Sequence, residues 1–209
     1  MLRLANMKPA AMRSLTLILV LLPTALGARA LRPEVSPDRV DRKKGAPIAG
    51  VEVVSEDYKS VVVKTKGAGG EKTIRIPASE VLDVQRDDEP AAYREGRDAL
   101  STGDLPNAIN ALRLAESQAA GQAWVREYAA FYLAEAYRLS GMAREAVQAY
   151  EKVLAAKADS RFLPQVRLGM ARAHTGAASY GDAEKVLNAF LGEVDSKRLS
   201  LSYKIEANL

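Results

Sequence analysis

Gly67-Ala-Gly-Gly-Glu-Lys-Thr73 is the stretch closest in composition to a phosphate-binding loop. The chemistry would be a cradle of backbone amides around a phosphate, with a lysine reaching its outer oxygens. That motif needs glycine directly before the lysine, and Glu71 stands there instead. The segment also leads into a β-branched run and not into a helix, so it reads as a hairpin turn. His174 is the single histidine, and there is no cysteine. Histidine triads, multi-histidine metal sites, disulfides, thiolate sites and cysteine nucleophiles are thereby excluded. The 26 acidic residues fall into no spacing that suggests an EF-hand or paired acid–base work. A carboxylate pair assembled in three dimensions stays open, but no enzyme activity, cofactor or metal is expected.

The segments that would position any site follow from a pass along the chain. Residues 1–30 read as a secretory leader. Arg3, Lys8 and Arg13 form its positive start, Leu15–Leu22 its apolar core, and Ala28-Arg29-Ala30 a cleavage site, with Met7 or Met12 as alternative starts. The apolar run falls short of the roughly 18–20 residues of a membrane span, so cleavage is expected and no stable span after it. The leader carries four of the 30 basic residues and no acidic one, which leaves 26 basic against 26 acidic. The net charge of +4 therefore belongs to the leader, and nucleic acid is not expected as a partner. Residues 31–45 read as a polar connector, a spacer or, near Val40, part of a first strand.

Residues 46–88 change to period two. Val51–Ser55, Ser60–Lys66, Thr73–Pro77 and Val81–Gln85 are short and β-branched, and turn residues separate the first three. They predict a small antiparallel sheet curled toward a barrel. Asp87-Asp-Glu-Pro90 marks a boundary whose acids suit the start of a helix. From residue 89 onward the pattern is helical. The expected fold class is thus α+β and multidomain: a β-barrel-like module followed by an all-α array.

Within the helical half, Ala129–Ala155 reads as two helices around a turn at Gly141. Leu133, Ala134 and Tyr137 mark one inner face, and Ala146, Tyr150, Val153 and Leu154 the other. Tyr93–Ala115 and Val166–Leu191 repeat the pattern, with the second-helix alanines Ala108, Ala146 and Ala183 spaced 38 and 37 apart. This resembles the tetratricopeptide (TPR) repeat, whose period is about 34. In the third copy Ala178 replaces a glycine of the pattern and the turn glycine moves to Gly176. Repeats are expected over 89–121, 126–160 and 163–194, with a partial fourth over 195–209. The layout of the β segment, including the turn Ile76-Pro-Ala-Ser-Glu80 before its last strand, resembles the SH3-like or Sm-like modules of exported bacterial TPR proteins.

The TPR resemblance implies a solenoid whose first helices line a concave groove for a peptide. Carried over by position, the groove residues are Tyr93, Arg97, Tyr128, Phe131, Glu135, Arg138, Leu168 and Arg172. They lack the asparagines of a carboxylate clamp, and an apolar groove flanked by Arg97, Arg138 and Arg172 suits an amphipathic or partly acidic segment. The alternative is that Trp124, Tyr128, Phe131 and Tyr132 pack between repeats or against the β module. Leu199, Leu201, Tyr203, Ile205 and Leu209 would face water at the C-terminal end, which points to a longer array or to self-association there. The function expected is a periplasmic or cell-envelope adaptor that binds a protein or peptide partner. The alternative is a self-assembling structural component of an envelope complex.

Overall fold

The computed structural model describes residues 38–67, 70–119 and 121–208. The leader expected over 1–30, the connector to residue 37, the hairpin tip at 68–69 and Leu209 lie outside them. Five strands come first: β1 (Asp38–Arg42), β2 (Ile48–Glu56), β3 (Ser60–Gly67), β4 (Gly70–Pro77) and β5 (Val81–Gln85). They form one antiparallel sheet in the order β4-β3-β2-β1-β5, with a 3-10 turn at Ala78–Glu80 between β4 and β5. No ladder joins β4 to β5, so the sheet is open between them. The first strand lies inside the stretch expected as a connector. It realises the alternative weighed for that stretch, a first strand near Val40, and Val40 is fully buried there.

Alternation places Val51, Val53, Val61, Val63, Ile76, Val81 and Val84 on the buried face. One irregularity matters for everything below. Val53 pairs with Val63, but Ser55 pairs with Val62 and Glu56 with Val61, so Val54 is an extra residue in the β2 ladder. Such a bulge shifts every later side chain to the opposite face. Val54 is left exposed, and Glu56 in place of Ser55 turns inward and is buried. Asp57 then closes the hairpin, its carboxylate accepting the backbone N–H groups of Lys59 and Ser60 at 2.7 Å each.

Seven helices follow: α1 (Ala91–Ser101), α2 (Leu105–Gln118), α3 (Ala123–Leu139), α4 (Ala143–Ala156), α5 (Leu163–Gly176), α6 (Tyr180–Ser196) and α7 (Ser202–Ala207). Each of the first six packs on the next, and both α1 and α5 also touch α3. Small residues make the close crossings possible. A Cβ on Gly96 of α1 would lie 2.6 Å from Leu112 of α2, and one on Gly169 of α5 would lie 2.3 Å from the Tyr150 hydroxyl of α4. The turns between paired helices use a left-handed residue: Gly103 (φ 78°), Gly141 (φ 73°) and, in the third pair, Ala178 (φ 57°). The third turn therefore stays at the position of the missing glycine, and Gly176 remains the last residue of α5.

From Asp38 onward the described residues form one compact unit. A single hydrophobic cluster runs from Val40 and Val63 in the sheet to Tyr93, Tyr128, Tyr150 and Val166 in the helices. The two modules expected from the sequence thus share a core. A second, smaller cluster joins Leu168, Phe190, Val194 and Ala207.

Candidate functional site

The expected groove residues sit on α1, α3 and α5, whose inner sides carry an unusual density of aromatic rings. Phe162, just before α5, stacks on Phe131 at 4.1 Å and meets Tyr128 edge-on at 4.8 Å. Tyr93 meets Trp124 edge-on at 5.5 Å. Tyr93 and Tyr128 are no more than 1 % exposed, while Phe131 and Leu168 are 8 % and 5 % exposed. Tyr93, Tyr128 and Phe131 do not line an open groove, while Leu168 borders a separate small cleft at the C-terminal end. For those three the expectation is corrected on a physical ground: Tyr93 packs on Tyr128, Tyr128 and Phe131 both pack on Phe162, and all three belong to the apolar cluster that continues into the sheet, whereas Leu168 belongs to the smaller C-terminal core.

What occupies the place of a ligand is Glu56. Aimed inward by the bulge in β2, its carboxylate accepts the Tyr128 hydroxyl and pairs with Arg86 and with Arg161, the latter at 3.2 Å. Arg161 lies over the Tyr128 and Phe162 rings, at 5.0 and 4.3 Å, and donates from Nε to the Tyr128 oxygen at 2.8 Å. Burial alone would lower the Arg161 pKa, but Tyr128 and Glu56 beside it raise it, so the guanidinium stays charged. Burial pushes the Tyr128 hydroxyl well up, which keeps it a neutral donor. Arg97 reaches the sheet too, donating to Asp83 of β5 at 2.7 Å and lying 4.8 Å over the Tyr132 ring. Beside this network Glu127 accepts the Ser160 hydroxyl at 2.6 Å, and burial raises its pKa.

Glu56 and Arg161 escaped the sequence reading for related reasons. Both lie in segments that look like turns, and only the bulge and the docking of the sheet make them interior. The signal present in the sequence was the aromatic and arginine pattern on α1 and α3, which has the chemistry of a face that receives a carboxylate. The alternative weighed for Trp124, Tyr128, Phe131 and Tyr132, packing between repeats or against the β module, describes Tyr128, whose hydroxyl donates to Glu56 of β2.

The remaining candidates separate into two places. Glu135 and Arg138 pair with each other at 2.6 Å, and Glu135 also accepts the Tyr150 hydroxyl, so they brace α3 against α4. Arg172 is 54 % exposed and pairs with Glu206 of α7. Together with Leu168, Ala171, Thr175, Leu187 and Ala207 these two line a cleft of about 430 Å³. It is mostly apolar, with one cation at its rim.

A second cleft, of about 450 Å³, lies where β1, β2 and β3 meet the β5–α1 connector and Trp124. Asp38 forms its wall, accepting the backbone N–H of Val53 at 2.8 Å and of Asp87 at 3.0 Å. Burial and the nearby Asp38 and Asp88 charges raise the Asp87 pKa. Asp88 accepts from the Trp124 indole and from Gln122. Of the acids expected to serve the start of α1, Asp88 instead ties the connector to α3 and Glu89 accepts the backbone N–H of Arg86, and Pro90 precedes α1 with no side-chain cap. Among the described residues no group of three or more potential metal ligands comes together. No helix described is long and apolar enough to cross a membrane. No family model matches this chain, and no curated protein matches it.

Proposed function

We propose that the chain is a non-enzymatic, exported adaptor of the bacterial envelope, built from TPR-like hairpins, that holds a peptide segment of a partner protein. The observation that carries this reading is the α5–α6–α7 cleft. Over α1 and α3 the inner face is filled by Glu56, Asp83 and their partners. At α5 two of the positions assigned to the groove, Leu168 and Arg172, still border open space. The cleft suits an apolar segment whose acidic residue exchanges with Glu206 on Arg172. Apolar burial would supply most of the affinity, and the arginine would set orientation.

Peptides selected against the full chain from a random library test this directly. Their binding is then measured by fluorescence anisotropy against the parent protein and against Arg172→Glu. Apolar peptides bearing an acid, weakened about tenfold by the substitution, are the expected result. Selected peptides indifferent to position 172 would remove the cleft from consideration.

A second reading, self-assembly through the C-terminal face, is favoured by Leu201 and Ile205 beside α7 and on it, at 67 % and 61 % exposure. It predicts concentration-dependent association that Leu201→Asp/Ile205→Asp abolishes.

A further inference from the structure

The sheet has two edges, and they are treated differently. β5 is five residues long, its ladder with β1 shifts register between Asp41 and Arg42, and its Asp83 is held by Arg97 of α1. Shortness, irregularity and cover are three ways of blunting an edge, and charged side chains are a fourth. β4 has only the last, in Glu71, Lys72 and Arg75. It runs eight residues, pairs with β3 without a break from Ser60↔Pro77 to Gly67↔Gly70, and is exposed at every position but Ile76. Its ladder is the only described one in the sheet without a register shift. On the side away from β3, alternate backbone N–H and C=O groups have no neighbouring strand.

The side chains on this edge are complementary to themselves. Glu71, Thr73 and Arg75 point to the outer face, and Lys72, Ile74 and Ile76 to the face that Val61 and Val63 share. Two copies of the strand laid antiparallel about Thr73 place Glu71 opposite the second copy's Arg75, Arg75 opposite its Glu71, and Thr73 opposite Thr73. Opposite charges and threonine pairs directly across a ladder both stabilise it. On the inner face Lys72 falls opposite Ile74, which is 37 % exposed, so its aliphatic stem covers the isoleucine while the ammonium reaches water. Arg75 uses one nitrogen on Ser60 at 2.8 Å, and Glu71 makes only a loose 3.5 Å contact with Lys64, so both remain available. A two-fold axis through Thr73 makes the contact isologous and closed.

We propose that β4 is a self-association edge, joining two copies of this chain through a continuous antiparallel ladder centred on Thr73. The proposal is independent of the peptide cleft and of the α7 face.

The test is sedimentation equilibrium of the full chain with two single charge swaps. Glu71→Arg sets arginine against Arg75, and Arg75→Glu sets glutamate against Glu71. Each swap turns two attractive pairs into repulsive ones and should raise the dimer dissociation constant about tenfold. Mixing the two variants restores both pairs, so a heterodimer as tight as the parent dimer is expected. The double variant Glu71→Arg/Arg75→Glu should dimerise like the parent, and Leu201→Asp/Ile205→Asp should leave the dimer intact. Far-UV circular dichroism verifies that each variant is folded. A parent chain monomeric throughout the concentration range overturns the proposal, as does a dimer that the single swaps leave unchanged. Swapped variants that stay monomeric when mixed overturn it as well.

Discussion

At the scale of single residues, Glu56 decides how the molecule closes. A carboxylate 7 % exposed survives burial only because Arg86, Arg161 and the Tyr128 hydroxyl surround it. The reverse also holds: without that charge, two largely buried guanidinium groups lose their principal counter-ion. Glu56→Gln keeps the shape and one acceptor but removes the charge. It should cost about 3 kcal/mol of stability, the scale for breaking a buried ion pair from one side. Urea unfolding measures it, with Glu52→Gln on the exposed face of the same strand as the reference, expected to stay within about 0.5 kcal/mol. Equal midpoints for the two variants would show that the buried network does not hold the sheet to the helices. No reading of the sequence singles out Glu56 over Glu52, because strict alternation puts both on the outer face. Only the extra residue at Val54 separates them.

At the scale of elements, much was legible. The hairpin helices follow from their turn residues and alanine spacing, and four of the five strands from their β-branched runs. The third helical turn shows what spacing can miss. With Gly176 and Ala178 both near the break, the more permissive residue looked like the turn. The chain instead keeps the geometry of the other two turns, in which the N–H of the residue after the left-handed position returns to a first-helix carbonyl. Asp104 N–H reaches Ala99 O, Met142 N–H reaches Tyr137 O and Ser179 N–H reaches His174 O, each at 2.9 Å. That recurring bond forces Ala178 to a positive φ, where an L-residue is strained by about 1–2 kcal/mol. Ala178→Gly removes the strain and adds back some unfolded-state entropy. A net gain of about 0.5–1 kcal/mol is expected, read as a rise in melting temperature. A fall would mean that the methyl group has packing partners that outweigh the backbone conformation.

At the scale of the whole molecule, the open question is whether sheet and helices are one folding unit or two joined ones. Composition and period suggest two, since each half has its own pattern and a charged boundary at Asp87–Pro90 divides them. The packing says otherwise. Long side chains bridge to the strands, Tyr128 and Arg97 from helices and Arg161 from the α4–α5 turn, and the apolar cluster continues across the junction. Trp124, the only tryptophan, is placed to report on this. Its ring has Arg86 5.6 Å from its centre on the sheet side and Tyr93 and Tyr128 at 5.5 and 5.6 Å on the helix side. Its fluorescence therefore follows the junction, while ellipticity at 222 nm follows the helices. If the junction is part of one cooperative unit, the two signals should give coincident urea transitions in the parent protein. In Glu56→Gln the sheet should release first, so the fluorescence transition should move to lower urea than the ellipticity. Separate transitions already in the parent would mean two independent domains. The inner face of the helices would then be exposed whenever the sheet lets go, and the aromatic residues assigned here to the core would become available to a partner.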